Sequence, residues 1–184
     1  MNQQIYNISR DYRITLLSFF DSQTLTLKTI SIMGLDMLIG VPKEIKNHEY
    51  RVGLTPESAA ELVHDGQQVW VEAGAGAGIG ASDAQYQAAG ALIKASAKEI
   101  FDACDMIVKV KEPQPAECSM LRAGQILYTY LHLAPDPEQT QALLKSGAVC
   151  IAYETVTDDK GDLPLLKPMS QVAGRLAIQT GATA

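Results

Sequence analysis

Short apolar runs alternate with helical segments along most of this 184-residue chain. We predict strands at 37–41, 69–71, 91–93, 106–110, 126–131 and 149–153, and helical segments lie between most of them. The predicted connections are short. Alternation of this kind is typical of α/β domains, in which helices flank a mostly parallel sheet. The sequence therefore predicts an α/β fold with a mostly parallel sheet.

Two of the predicted helices have clear start and stop signals. Thr55 is a favourable N-cap, Pro56 suits the first helical position, and Gly66 is a suitable stop. The second helix covers 137–145 and is expected to end before Gly147.

The two ends of the sequence differ from its middle. Residues 1–36 contain short apolar pieces among polar residues and have no signal-peptide pattern, whereas Met37 begins a convincing strand. We expect Met37 to be the natural start and residues 1–36 to be an extension outside the core fold; the alternative is an ordered N-terminal arm. An alanine-rich helix is predicted to open at Ser170 and to run toward Ala184 without a clear stop signal. We therefore expect the chain to be a fragment of a longer protein.

Charge and cysteine usage argue against several function classes. The net charge of −6 and the pI near 5.0 do not favour nucleic acid or an anionic membrane as the main partner. Cys104, Cys118 and Cys150 are widely spaced and form no CxxC motif, so we predict neither a metal site nor a disulfide framework. Reduced cysteines are typical of a cytoplasmic protein. No apolar run approaches the roughly 20 residues of a membrane-spanning helix.

Two consecutive predicted strands end in residues that could carry chemistry. Lys111 follows the run 106–110, and His132 follows the run 126–131. Because ligands of open α/β sheets bind beyond the carboxyl ends of the strands, we expect both side chains to face one small molecule. A lysine can polarise a carbonyl group, and a histidine can transfer protons near neutral pH. In the alternative interpretation, Lys109 and Lys111 are solvated at a fraying strand end and His132 is a core residue.

Arg51 lies between the first strand and the first helix, in a loop expected at the same edge of the sheet. Its guanidinium group could bind a carboxylate through two parallel hydrogen bonds, although an isolated arginine is usually an ordinary surface residue. The glycine run 74–80 loosely matches a dinucleotide-binding pattern. The expected helix cap at Ser82 or Asp83 comes several residues too late for that pattern, so we interpret the run as a flexible turn.

Several segments together resemble the alanine dehydrogenase family, and the resemblance runs continuously from Met37 to Ala184. The segments are 39–47 (IGVPKEIKN), 49–52 (EYRV), 55–56 (TP), 72–76 (EAGAG), 109–113 (KVKEP), 130–134 (YLHLA), 152–156 (AYETV) and 168–175 (PMSQVAGR). The α subunit of proton-translocating pyridine nucleotide transhydrogenase is similar in its opening strand, arginine loop and glycine turn. That family lacks the Lys-Glu-Pro and Leu-His-Leu signatures, which favour alanine dehydrogenase.

The resemblance implies a reaction and residue roles. The family interconverts L-alanine with pyruvate and ammonia by using NAD, and its full-length members form homo-oligomers. By motif, Arg51 would bind the substrate carboxylate, Lys111 would contact the carboxylate and carbonyl region, and His132 would transfer protons. Ser170 would lie near the cofactor, and Glu154 would lie near the domain junction, with a less defined role.

The resemblance also implies a domain organisation. Residues 37–169 would form a Rossmann-like or flavodoxin-like substrate-binding domain, and residues 170–184 would begin an interdomain helix leading to a separate NAD-binding domain. We therefore expect the 184-residue chain to be inactive alone. Two alternatives stay open: a transhydrogenase α-subunit-like domain, and a non-catalytic module that associates with full-length subunits.

Overall fold

The computed structural model describes residues 36–183 and, before them, the strands β1 (Tyr6–Ile8), β2 (Arg13–Phe19) and β3 (Leu25–Ser31). The chain divides into two compact units, one of which comprises Asp36–Ala152. The other unit comprises the segments on either side of it. The prediction that residues 1–36 are an extension falls in part on positions outside the described residues, and it stays a prediction.

A six-stranded sheet organises the unit Asp36–Ala152. Its strands are β4 (Leu38–Val41), β5 (Gln68–Glu72), β6 (Leu92–Lys94), β7 (Met106–Val108), β8 (Ile126–Thr129) and β9 (Val149–Ala152). They lie in the order β6-β5-β4-β7-β8-β9, and each neighbouring pair is parallel. The predicted α/β fold with a mostly parallel sheet is therefore confirmed.

The order of the strands reverses between β4 and β7. From β4 the chain proceeds outward to β5 and β6, and it then returns to the opposite side of β4 as β7 before continuing to β8 and β9. This is the Rossmann-like order of a doubly wound sheet. In such sheets the loops after the two central strands diverge, and the crevice between them is the usual ligand position. The sheet thus places its expected binding crevice beyond the ends of β4 and β7.

Helices connect the strands, and their ends follow local capping rules. They are α1 (Pro56–His64), α2 (Asp83–Ala88), α3 (Ala97–Ala103), α4 (Pro115–Cys118) and α5 (Pro137–Ser146). The Ser58 amide donates to Thr55 Oγ1 at 3.3 Å, which caps α1 as predicted. Gly147 ends α5 in the left-handed conformation, with φ of 69°, where a glycine costs no steric strain.

Two separate apolar clusters form the core, and each combines strands with helices. One contains residues of β4, β5, α1 and α2: Val41, Ala59, Val69, Val71 and Tyr86. The other contains residues of α3, β7, β8 and α5: Ile100, Phe101, Ile107, Leu127 and Leu143. A Cβ atom added at Gly40 of β4 would lie 2.4 Å from Ile100 Cγ2, so glycine permits the close approach of α3.

Strand β7 ends at Val108, two residues before the predicted end, at a point that the loop after β4 approaches closely. A Cβ atom at Gly53 of that loop would lie only 2.4 Å from the carbonyl oxygen of Val108. Main-chain pairing nevertheless continues beyond both strands. The amide of Lys109 donates to the Tyr128 carbonyl at 3.0 Å, and the amide of Tyr130 donates to the Val110 carbonyl at 3.3 Å. The segments that carry Lys111 and His132 therefore leave the sheet side by side.

The other unit contains an antiparallel sheet, in the order β1-β2-β3, and the chain after β9. A 3-10 turn at Tyr153–Thr155 is followed by a loop and by the helix α6 (Lys167–Thr183). This helix begins before Ser170, whose amide donates to the Leu166 carbonyl at 3.1 Å. The prediction that Ser170 opens the helix was wrong by one turn, because Pro168 is favourable in a first turn. No helix among the described residues is long and apolar enough to cross a membrane.

Candidate active site

Three consecutive strands of the sheet deliver the predicted site residues to one edge. Arg51 lies in the loop between β4 and α1, and Lys111 and His132 lie beyond the ends of β7 and β8. Because β4, β7 and β8 are neighbouring parallel strands, their carboxyl ends meet at the same edge. Arg51 and His132 are exposed and Lys111 is half-buried, so each side chain is accessible to a ligand.

The guanidinium group of Arg51 already holds an internal carboxylate. Its Nε donates to Glu49 Oε1 at 2.8 Å, and its Nη2 donates to Glu49 Oε2 at 2.6 Å. The Glu49 side chain is only 6% exposed, whereas the Arg51 side chain is 44% exposed. These bonds hold the pKa of Glu49 at about 2, against an ordinary value of 4.5, and the Arg51 pKa is raised in return. Arg51 therefore binds the Glu49 carboxylate of its own loop through two hydrogen bonds.

Lys111 acts on the same carboxylate. The positive charge of Lys111 further lowers the pKa of Glu49, after the larger effects of Arg51. Its main chain is held from two sides: the Lys111 amide is 3.4 Å from Glu44 Oε1, and Thr129 Oγ1 donates to the Lys111 carbonyl at 2.8 Å. Cations from two different segments, Arg51 and Lys111, thus act on one anionic group.

His132 is presented to solvent by an uncommon backbone conformation. Its φ is 48°, in the left-handed region that few non-glycine residues adopt. Its ring stacks on Tyr130, with centroids 6.2 Å apart and an interplanar angle of 16°. Tyr130 is 5% exposed, and it also contributes to the raised pKa of Arg51. The alternative that His132 is a core residue is wrong, because the side chain is exposed.

Lys109 is buried more deeply than Lys111, although their two-residue spacing predicts the same face of a strand. Lys109 is completely buried, and its Nζ lies 3.1 Å from Glu44 Oε2 and 2.7 Å from Glu117 Oε1. Burial raises the pKa of Glu117 despite the nearby lysine. The alternative in which both lysines are solvated is therefore wrong for Lys109. Sequence reasoning missed Glu44 and Glu117, whose only signal is that a buried lysine requires acidic partners.

Sequence reasoning also missed Glu49 and Tyr130 as neighbours of the predicted residues. Both stand two positions from a predicted site residue, Glu49 before Arg51 and Tyr130 before His132. A two-residue spacing in extended chain places side chains on the same side. This two-residue spacing was the sequence signal that could have indicated Glu49 as a neighbour of Arg51 and Tyr130 as a neighbour of His132.

The glycine run 74–80 is an ordered turn that packs against its own chain. A Cβ atom at Gly78 would lie 2.2 Å from the Tyr50 carbonyl oxygen, and one at Gly76 would lie 2.7 Å from the Tyr86 ring. The following helix α2 starts at Asp83 and has six residues. These two glycines therefore accommodate protein atoms, and the run forms a turn, as predicted.

Metal binding has no support in residues 36–183, where no group of three histidine, cysteine or acidic residues is arranged to hold an ion. Cys104, Cys118 and Cys150 are free thiols in this range. Burial raises the pKa of Cys104 to about 12 and that of Cys150 to about 11. Both thiols are thus suited to packing rather than nucleophilic chemistry.

Comparison with known proteins identifies the family. The family model described as "Alanine dehydrogenase/PNT, N-terminal domain" matches residues 40–173. The chain belongs to this family. An alanine dehydrogenase from Halomonas elongata is 59% identical over 146 residues, and those from Methanococcus maripaludis and Bacillus subtilis are 56% and 54% identical. Each alignment covers 79% of this chain but only 38–39% of the relative, so the chain spans about two-fifths of the length of these relatives.

Solved structures support the same family fold. An L-alanine dehydrogenase structure is 52% identical, has a TM-score of 0.75, and is matched over 80% of this chain and 40% of its own length. A transhydrogenase from Sinorhizobium meliloti is 32% identical, with a TM-score of 0.60 over 64% of this chain and 35% of its own length. The predicted resemblance to alanine dehydrogenase is confirmed, and the similarity to this transhydrogenase is the weaker of the two.

Proposed function

We propose that this chain forms the substrate-binding side of an NAD-dependent alanine dehydrogenase, which interconverts L-alanine with pyruvate and ammonia. The observation that carries the proposal is the delivery of Arg51, Lys111 and His132 to one sheet edge by β4, β7 and β8. Arg51 and Lys111 also act on a single carboxylate, that of Glu49. The chain's similarity to alanine dehydrogenases supports the choice of reaction.

Each of the three residues has a chemical task in this proposal. Arg51 binds the substrate carboxylate through the guanidinium N–H groups that its two hydrogen bonds to Glu49 leave available. Lys111 places a positive charge beside the carbonyl oxygen of pyruvate and stabilises negative charge there. His132 accepts or donates the proton that moves when the carbonyl is exchanged for an amine. Its exposure gives it access to both substrate and water.

NAD would supply the hydride acceptor of this reaction. Gly76 and Gly78 of the turn 74–80 pack against protein atoms, and the resemblance to alanine dehydrogenase assigns only Ser170 to the cofactor. Ser170 lies in the first turn of α6, in the unit that does not contain the other site residues. We therefore propose that residues 36–152 bind the substrate and do not hold NAD by themselves.

A transhydrogenase-like domain is the second candidate, and its support is the similarity to the Sinorhizobium meliloti protein. The two candidates differ in what they expect of the predicted site. A transhydrogenase-like domain requires no pyruvate binding at Lys111 and His132. A non-catalytic module likewise requires none.

Calorimetric titration of the 184-residue chain with pyruvate tests the proposal. We expect binding that weakens about tenfold or more in Arg51→Lys, because lysine lacks the two-pronged geometry. Lys111→Met is expected to weaken binding similarly. Matched controls are Arg122→Lys and Lys98→Met, which alter exposed cations elsewhere on the surface. Absence of pyruvate binding, or equal losses in the controls, would contradict the proposal and favour the other two candidates.

A further inference from the structure

A buried charge network lies directly behind the segment that carries Lys111. It consists of Lys109, with no exposed surface, and of Glu44 and Glu117, whose side chains are each 2% exposed. Burying three charged groups is unfavourable unless each is paired, and here one cation is shared by two carboxylates. An apolar set of similar volume would fill the same space without this cost. Packing alone therefore does not explain why these three charged residues are buried together.

Glu44 differs from Glu117 in what else it binds. Besides the contact to Lys109, Glu44 Oε1 accepts a hydrogen bond from the Val110 amide at 2.6 Å and lies 3.4 Å from the Lys111 amide. Glu117 instead accepts a hydrogen bond from the Gln114 amide at 2.8 Å, within its own turn. Only Glu44 thus connects the network to the main chain at Lys111.

The opposite side of the Lys111 peptide is held by the next strand. Thr129 is fully buried at the end of β8, and its Oγ1 donates to the Lys111 carbonyl at 2.8 Å. Glu44 belongs to the loop that also carries Arg51, and Thr129 belongs to the strand that leads to His132. The main chain of Lys111 is therefore tied to both neighbouring elements of the site.

We infer that Glu44 is a positioning residue for Lys111, acting through the amides of Val110 and Lys111. Lys109 supplies the counter-charge, with its Nζ 3.1 Å from Glu44 Oε2, and so orients the Glu44 carboxylate inside the fold. This inference rests on the proposed function, in which Lys111 contacts pyruvate. A carboxylate is suited to the task because it accepts two amides and a lysine at once, whereas a glutamine offers one oxygen and a competing N–H₂ group.

Glu117→Gln is the matched control for Glu44→Gln. Both changes replace a carboxylate of equal burial that contacts the same Lys109 nitrogen. Both are therefore expected to lower the thermal unfolding temperature. Only Glu44→Gln is expected to weaken pyruvate binding, by about tenfold or more, since small displacements of a binding group cost much of its effect. Comparable loss of affinity in both variants would overturn the inference.

Amide hydrogen exchange measured by NMR supplies a readout that does not depend on pyruvate. In Glu44→Gln we expect the Val110 and Lys111 amides to exchange about tenfold faster or more, whereas Glu117→Gln should leave both rates unchanged. Unchanged rates in Glu44→Gln would overturn the inference. If the wild-type chain fails to bind pyruvate while the exchange rates change as expected, the proposed function fails and the anchoring by Glu44 stands.

Thr129→Val is a second variant, in case Glu44→Gln does not fold. Valine has nearly the shape of threonine, so this substitution removes the hydrogen bond to the Lys111 carbonyl and keeps the packing. We expect it to weaken pyruvate binding several-fold without changing exchange at Val110. If Thr129→Val retains wild-type affinity, the main-chain position of Lys111 does not control binding and the inference is overturned.

Discussion

Glu49→Gln should lower stability in a way that depends on pH. In the folded chain, hydrogen bonds and charge from Arg51 hold the Glu49 pKa at about 2, against an ordinary value of 4.5. A difference of this size corresponds to about 3 kcal/mol in favour of the charged, folded form. Because the Arg51 side chain is 44% exposed, solvent screening reduces the expected contribution to about 1–2 kcal/mol.

The sign of the pH dependence follows from the direction of the shift. A carboxyl group with a depressed pKa in the folded state contributes stability above its unfolded pKa and loses it as the pH falls. The wild-type advantage over Glu49→Gln should therefore be constant from pH 7 to about pH 5 and should shrink between pH 4.5 and 2. Glutamine is uncharged at every pH. The pH-dependent part of the stability difference between wild type and Glu49→Gln therefore reports the Glu49–Arg51 ion pair alone.

Urea unfolding of both proteins at several pH values measures this difference. Glu61→Gln, at an exposed position of α1, is the matched control and is expected to change stability little at any pH. A difference between wild type and Glu49→Gln that stays constant from pH 7 to pH 3 would refute the reasoning. So would a Glu49→Gln protein that is more stable than wild type at pH 7.

Three further predictions concern residues outside the substrate contacts. Lys109→Met leaves two buried carboxylates without their cation, and it should lower the free energy of unfolding in urea by about 3–5 kcal/mol. Cys104 is buried and its pKa is raised to about 12, so at pH 8 it should react with a thiol reagent many-fold more slowly in the folded chain than in urea; equal rates would contradict its burial. Gly78→Ala places a Cβ atom 2.2 Å from the Tyr50 carbonyl oxygen and should cost about 1–3 kcal/mol by thermal unfolding, whereas Gly174→Ala meets open space in α6 and should be neutral or slightly stabilising.

Much of the fold was predictable because its signals are local. The N-cap at Thr55 and the stop at Gly147 depend on hydrogen bonds and φ angles within one turn, and both were located correctly. The apolar runs of the six strands were likewise visible in the sequence. Element ends were less accurate: β7 ends at Val108, close to Gly53 from a distant part of the chain, and not at Val110 as predicted. The start of α6 was also misplaced, by about one turn.

The candidate site was predictable in part. The sequence indicated Lys111 and His132 because each follows an apolar strand, and parallel strands share a carboxyl edge. It could not indicate that Arg51 forms two hydrogen bonds with the Glu49 carboxylate, or that His132 adopts a φ of 48°. Neither feature leaves a pattern in a single sequence. The role of Ser170 and the domain boundaries at residues 36–37 and 169–170 stay predictions.

The sequence by itself determined the order of strands and helices, because capping, turn formation and amphipathic spacing act over a few residues. Only the tertiary structure decided which of two similar lysines is exposed to a ligand. Lys109 and Lys111 are two positions apart, yet Lys109 is buried between Glu44 and Glu117, and Lys111 is half-buried at the edge beside Glu49. The physical reason is that burial and ion pairing depend on tertiary partners. Glu44 comes from 65 positions away in the chain, and the adjacency of β4 and β7 in the sheet brings it to Lys109.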